Sequence, residues 1–291
     1  MRESIHRTVL LNETIEGLNL GNKSLILDCT FGGGGHSKEI LKRYPKIKII
    51  ALDQDKNVFK NFSEKRISFK NINFRNLDET LDGQKVDGII FDLGLSSDQL
   101  ENSGRGFSFM KQEPLLMTMK ENPRPEDLTA MDIVNDWSEK SLADIIYGYG
   151  EERFSRRVAK GIVEVRKKKK IETTGDLVKI IGDSVPGAYK RGRLHFATKT
   201  FQALRIAVND ELGALKEGLE KGFNVLSKNG RMSVISFHSL EDRIVKRFYK
   251  EKEKEGKAIL INKKPITAKE EEIKNNPRSR SAKLRILGKI I

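Results

Sequence analysis

Apolar runs of strand length alternate with helical patterns in the first hundred residues. Runs of this kind predict buried strands, and they occupy 24–29, 47–52, 67–74, 86–93 and, much later, 231–237. Helices are predicted between the first three strands, over 36–44 and 56–65, and again from residue 240 onwards. Strands that alternate with helices favour a mostly parallel sheet covered on both faces.

The middle of the chain has a different pattern. From about residue 124 to 188 the apolar spacing is helical, and no strand-like run interrupts it. Thr173 and Asp176 are typical of a helix start, and Pro186 marks a helix end. A long amphipathic helix is predicted over 200–221. We therefore predict an α/β domain, 1–104 and 199–291, interrupted by an all-helical insert, 105–198.

Composition narrows the class of protein. Hydrophobic residues make up 37% of the chain and charged residues 33%, and no apolar run approaches the ~20 residues that span a bilayer. The first residues are too polar for a signal peptide. The single cysteine, Cys29, excludes an internal disulfide, and with four scattered histidines no metal site is expected. We expect a cytoplasmic protein without a membrane partner.

The net charge of +14 indicates a polyanionic partner, because lysine and arginine displace counterions from phosphates. The excess is greatest near the end of the chain. A solvated surface explains part of it, as in KEKEKEGK over 250–257. Charge alone favours a nucleic acid.

Four glycines follow the first strand in DCTFGGGGHS, and Asp53 ends the second strand. A bare turn after one strand and an acid at the tip of the next are typical of nucleoside binding. A phosphate-binding loop would need lysine and serine or threonine after the glycines, and a dinucleotide fold would need a sixth-position glycine where Ser37 stands. S-adenosylmethionine, which carries no phosphate, suits the pattern best. The alternative interpretation is that the four glycines form a tight turn without binding a ligand.

Two further strand ends carry polar groups. Asp92 ends the fourth strand, and Ser236, His238 and Ser239 end the fifth, at the edge where ligands bind in parallel sheets. A serine hydrolase is disfavoured because the chain has GLSSD and not the GxSxG turn.

The motifs together resemble one family, the bacterial small-subunit ribosomal RNA cytosine-N4 methyltransferases (the RsmH/MraW family). The resemblance rests on HRTVLLNE, DCTFGGGGHS, ALDQD, DGIIFDLGLSSDQL, RGFSF, GEERFSRR, TFQALRIAVNDEL, GRMSVISFHSLEDRIVKRF and NPRSRSAKLR, which run from His6 to Arg285. It implies a class I methyltransferase, Rossmann-like with a mostly parallel sheet and a helical insert. It also implies S-adenosylmethionine as cofactor and a cytidine in the decoding region of 16S rRNA as substrate.

The resemblance assigns cofactor contacts by motif match. They are Gly34, Gly35, His36, Asp53, Asp92, Gln99 and, in a looser match where the family often has phenylalanine, Leu77. Cys29 stands where relatives often have glycine. Methylating an exocyclic amine also needs an acceptor that orients its protons. Asp92 is the first candidate, for the cofactor, the amine or both. His238 is the second, with a purely structural rim histidine as the alternative.

Contacts with RNA are expected from aromatic and basic residues, which stack bases and bind phosphates. The candidates are Arg105, Phe107, Arg153, Arg157, Lys168, Arg278 and Arg280. Core packing or a solvated helix face is the alternative at each. The expected partner is small-subunit rRNA within the 30S particle, and both a monomer and a homodimer stay open. A dehydrogenase and a non-catalytic ribosome-binding factor are the remaining alternatives.

Overall fold

The computed structural model describes residues 8–21, 24–60, 62–95, 99–100 and 102–291. These form two compact units, one from the described parts of 1–96 with 212–291 and the other from those of 97–211. The predicted insert, 105–198, lies inside the second unit, which extends past it at both ends. None of the described helices is long and apolar enough to cross a membrane.

The first unit contains a seven-stranded sheet with helices. Its chain begins with α1 (Leu11–Leu18), β1 (Leu25–Asp28), α2 (Gly35–Arg43), β2 (Lys48–Asp53), β3 (Ile67–Asn71) and β4 (Val86–Asp92). The second unit follows with α3 (Ala130–Asp136), α4 (Glu139–Gly148), α5 (Ser155–Arg166), α6 (Thr174–Ser184), α7 (Gly187–Lys190) and α8 (Thr198–Asn209). The last part of the chain completes the sheet. Its elements are α9 (Glu211–Val225), β5 (Leu226–Ser236), α10 (Ser239–Lys254), β6 (Ala258–Leu260), α11 (Glu270–Asn275) and β7 (Lys283–Lys289).

The strand order is β3-β2-β1-β4-β5-β7-β6. The first five strands are parallel, and β7 runs antiparallel to both β5 and β6. The order reverses between β1 and β4, which is the point where open α/β sheets bind ligands beyond the carboxyl ends of their strands. The predicted mostly parallel sheet is confirmed.

Successive residues of the central strands pack on opposite faces of the sheet. Ile26 and Ile90 join a cluster with side chains of α1 and α2, whereas Leu27 and Phe91 join a cluster with side chains of α9 and α10. All four of these strand side chains are fully buried. Helices therefore cover both faces, which explains why these strands are continuous apolar runs.

Several elements differ from the prediction. The helix predicted over 56–65 is only a short 3₁₀ turn at Lys56–Phe59. The helix predicted over 200–221 is two helices, α8 and α9, because Asp210 adopts a left-handed backbone with φ of 46°. Strands β6 and β7 were not predicted.

The second unit is helical, as predicted. Thr173 caps α6 through a reciprocal box with Asp176, and Thr129 and Asp132 do the same for α3. Each box satisfies backbone N–H groups that a helix start leaves unpaired.

Candidate active site

The turn after β1 needs glycine for conformation and for space. Gly32 and Gly34 have φ of 49° and 68°, a left-handed region that favours glycine. A Cβ on Gly34 would stand 2.6 Å from the rings of both Phe31 and Phe62, and one on Gly35 would collide with the Thr8 side chain. The turn therefore presents bare main chain beside the carboxyl end of β1.

Asp53, at the end of β2, ties this turn to the next loop. Its Oδ2 accepts a hydrogen bond of 2.9 Å from the Gly32 N–H, and its Oδ1 accepts one of 2.9 Å from the Asp55 N–H. Burial raises the pKa of Asp53 to about 6 despite these bonds, and the charge of Asp55 adds to the effect. The carboxylate is thus fixed and poorly solvated at the sheet edge.

Asp28 and Asp92 end the neighbouring strands β1 and β4. Asp28 accepts a 2.6 Å hydrogen bond from the Ser37 hydroxyl, and the Asp92 N–H donates to the Thr30 hydroxyl at 2.6 Å. Burial raises the pKa of Asp28 to about 6. It raises that of Asp92 to about 7, with the charge of Asp28 as the next cause. A cation bound here would relieve the desolvation and mutual repulsion of these carboxylates.

His36 lies in the first turn of α2 beside this acidic group. It is 5% exposed, and its Nδ1 is 3.8 Å from Oδ2 of Asp92. The glycine turn and α2 thus bring the predicted residue His36 next to the predicted residue Asp92.

Sequence reasoning did not select Asp28, although it ends β1 directly before the turn. The pattern that could have identified Asp28 is an acidic residue at the end of a buried apolar strand. The same signal selected Asp53 and Asp92 on the neighbouring strands.

His238 is built into the start of α10. Its Nδ1 accepts from the Glu241 N–H at 3.4 Å, and its Nε2 lies 3.2 Å from Oε1 of Glu241, without hydrogen-bond alignment. The other Glu241 oxygen accepts from the Phe237 and His238 N–H groups at 2.8 and 3.2 Å. Since both ring nitrogens face Glu241, the structural role of His238 is the better supported one.

The remaining two predicted cofactor contacts are Leu77 and Gln99. Leu77, in the 3₁₀ turn Phe74–Thr80, is fully buried in the core cluster with Leu27 and Leu219. Gln99 belongs to the second unit. Both stay predictions.

The predicted RNA contacts differ in exposure. Arg105 and Phe107 are 7% and 6% exposed, and the Arg105 guanidinium donates to the Met119 carbonyl at 2.8 Å. Four candidates are exposed: Arg153, Arg157 and Lys168 in the second unit, and Arg280 in the first. Arg278, also in the first unit, is half-buried. Exposed arginine and lysine can reach a phosphate without rearrangement, so the four exposed residues are the better candidates, and Arg278 stays a prediction.

The carboxylates and the bare turn fit S-adenosylmethionine. The ligand carries a ribose, whose hydroxyls suit the fixed Asp53 carboxylate, and two cationic groups, which suit buried acids of raised pKa. The left-handed glycines let the chain turn tightly at the carboxyl end of β1, so that backbone groups lie where a ligand of this sheet would bind. Glycine turn, acid at the end of β2 and switch point together define a class I S-adenosylmethionine-dependent methyltransferase.

Comparisons of the sequence with known proteins show the family of this chain. The model of the MraW methylase family matches residues 3–290, so the chain belongs to that family. Ribosomal RNA small subunit methyltransferase H of Clostridium botulinum (strain Kyoto / Type A2) is 48% identical over 98% of this chain and 99% of its own. The protein of the same name from Persephonella marina is 46% identical over the same shares. A crystal structure of an rRNA methylase from Streptococcus thermophilus matches with a TM-score of 0.45 and 10% identity over 99% of both chains.

Proposed function

We propose that this protein methylates the exocyclic N4 of a cytidine in the decoding region of 16S rRNA. The names of its relatives support small-subunit rRNA as the substrate. The motif resemblance described above supports the cytidine N4. The observation that carries the proposal is Asp92, a half-buried carboxylate of raised pKa that ends β4 at the switch point of the sheet, beside His36.

Asp92 suits the chemistry of an exocyclic amine. When bound, S-adenosylmethionine supplies a methyl group already activated by its sulfonium sulfur. The N4 lone pair is delocalised into the ring, so the protein must orient the amine and stabilise the positive charge that develops on it. A carboxylate accepts a hydrogen bond from the amine, and ionised Asp92 can also take the proton that the methylated amine releases.

Cys29 argues against methylation of a ring carbon. Methylation of pyrimidine carbon 5 ordinarily begins with a thiolate that adds to carbon 6. The only cysteine of the chain is 2% exposed, and burial together with the Asp28 charge holds its pKa well above the ordinary value. Such a thiol is a poor nucleophile. An amine acceptor needs no covalent step of this kind.

The other roles follow from the site. Asp53 would hold the ribose hydroxyls, and Gly34, Gly35 and His36 would line the methionine end. We keep Leu77 and Gln99 as further proposed contacts. The exposed basic residues would bind rRNA within the 30S particle, in the cytoplasm. The proposed function is compatible with a monomer and with a homodimer.

Product mapping tests the proposal. The protein is incubated with labelled S-adenosylmethionine and small subunits that lack the modification, and the RNA is digested and separated into nucleosides. We expect label in N4-methylcytidine from wild type and none from Asp92→Asn. Label in 5-methylcytidine or a 2′-O-methyl nucleoside would refute the N4 assignment.

The same assay excludes a non-catalytic binding factor. Such a protein would transfer no methyl group, and Asp53→Ala would leave its RNA affinity unchanged. The enzyme proposed here should also keep its RNA affinity in Asp53→Ala, but should lose a methyl transfer that wild type performs.

A further inference from the structure

A surface groove in the helical unit lies between α4 and the start of α5. Its volume is about 510 Å³, within the ~300–1,000 Å³ range typical of ligand pockets. Asp144 and Tyr147 of α4 line one side, and Arg153, Arg156 and Arg157 line the other. The sequence predicted Arg153 and Arg157 as RNA contacts, and the structure adds the groove that they line.

Tyr147 presents an aromatic face to this groove. It is 66% exposed, an unusual state for a large aromatic side chain. It stands one helical turn from Ala143 on α4, which also lines the groove. An exposed ring beside cations is the combination that stacks unpaired bases.

The arginine side is partly fixed in place. The Arg153 guanidinium lies over the rings of Phe154 and Tyr189, 4.8 and 5.0 Å from their centroids, and that of Arg157 lies 5.7 Å from the Phe154 centroid. Buried Glu152 holds this aromatic pair, because its carboxylate accepts from the Phe154 N–H at 2.8 Å and from the Tyr189 hydroxyl. The cations are therefore positioned before any ligand arrives.

The charge of the groove suits a polyanion. Among the described residues, no carboxylate lies within 4 Å of the guanidinium groups of Arg153, Arg156 or Arg157. The one acid of the groove, Asp144, pairs with Lys140 at 3.4 Å. Three uncompensated guanidinium groups beside one partly neutralised acid favour phosphate.

We propose that this groove binds one unpaired nucleotide of the RNA substrate. Its base stacks on Tyr147, and its phosphates contact Arg153, Arg156 and Arg157. The inference deepens the proposed function, and it rests on that function only for the identity of the RNA. It adds a recognition site for single-stranded RNA on the helical unit.

The test measures RNA binding without cofactor, so that chemistry does not contribute. A fluorescently labelled fragment of unmodified small-subunit RNA containing the target cytidine is titrated with the full chain, and anisotropy gives Kd at several salt concentrations. We expect Tyr147→Ala to weaken binding roughly tenfold, the effect of one lost base stack, with an unchanged salt dependence. Tyr147→Phe keeps the ring and should stay within about twofold of wild type.

A charge variant separates phosphate contact from stacking. Arg156 is exposed, so Arg156→Ala should leave folding intact, as circular dichroism would verify. It should weaken binding and reduce the slope of log Kd against log salt by about 0.7, the value for one single-strand phosphate contact. Lys254→Ala removes an exposed cation from the other unit and is the matched control, with affinity near that of wild type.

Three results would overturn the inference. One is wild-type affinity in both Tyr147→Ala and Arg156→Ala. A second is equal loss in Tyr147→Phe and Tyr147→Ala, which would exclude stacking. A third is a loss seen only with intact subunits, which would assign the groove to a ribosomal protein. Product mapping with the wild type tests the proposed function separately. A failure of the groove proposal can therefore be distinguished from a failure of the proposed function.

Discussion

Replacing Asp92 by asparagine should make the cofactor-free protein more stable, and increasingly so as the pH rises. The pKa of Asp92 is raised from the ordinary 3.8 to about 7. Between these two values the unfolded chain releases its proton while the native chain keeps it, so ionisation favours unfolding. Above pH 7 both states are ionised, and the native state carries the full cost of the desolvated charge.

The magnitude follows from the shift. The rise in the pKa of Asp92 from 3.8 to about 7 corresponds to about 4 kcal/mol. The Asp92 side chain is 21% exposed, and solvent screening lowers this figure to about 2–3 kcal/mol. Part of this gain comes from removing the repulsion between Asp28 and Asp92, which is the second cause of the raised pKa.

Urea unfolding followed by circular dichroism measures the effect. At pH 8, Asp92→Asn should exceed wild type in the free energy of unfolding by about 2–3 kcal/mol, and at pH 4 the gain should be below about 1 kcal/mol. Exposed Asp82, changed to asparagine, removes the same charge and should show no such trend. Equal destabilisation of Asp92→Asn at both pH values would refute the reasoning, because it would mean that the carboxylate is not penalised by burial.

Three further changes test other parts of the account. Gly34→Ala forces a left-handed alanine against two phenylalanine rings, so denaturant unfolding should show a loss of about 1–3 kcal/mol; an unchanged midpoint would contradict the packing of the turn. His238→Asn keeps a good N-cap residue and should retain methyl transfer within about tenfold, whereas a loss as complete as that of Asp92→Asn would restore His238 as the proton acceptor. Thr173→Ala removes the capping box of α6 and should cost about 1 kcal/mol of stability, measured in the same way, with wild-type stability as the opposing result.

The sheet core was predictable because β1 and β4 are buried on both faces. A strand of that kind is apolar throughout, and the turn residues after it mark its end. The acid at the end of β2 was predictable for the same reason, since Asp53 is the first polar residue after a buried run. Local sequence therefore specified where these strands end and which side chains stand there.

Strand β7 was not predictable from its own residues. Its sequence, KLRILGK, mixes basic and apolar residues and follows shortly after the predicted RNA contacts Arg278 and Arg280. Arg285 is nevertheless 7% exposed, because its guanidinium binds the Asp242 carboxylate at 2.6 and 3.2 Å. A partner so far away in sequence leaves no local pattern.

The electrostatics of the site were also beyond sequence reasoning. The raised pKa of Asp92 depends on burial and on Asp28, which lies on the neighbouring strand. Both ring nitrogens of His238 face Glu241, and this arrangement depends on the geometry of the first turn of α10. Both effects arise from folding, and both favour Asp92 over His238 as the proton acceptor.

Isothermal titration calorimetry with S-adenosylmethionine tests the central claim most directly. The account predicts one binding site per folded chain, and binding at least about 100-fold weaker in Asp53→Ala, since two hydrogen bonds to a charged group are lost. Absence of binding heat from the folded wild-type protein, or equal affinity in the two proteins, would contradict it.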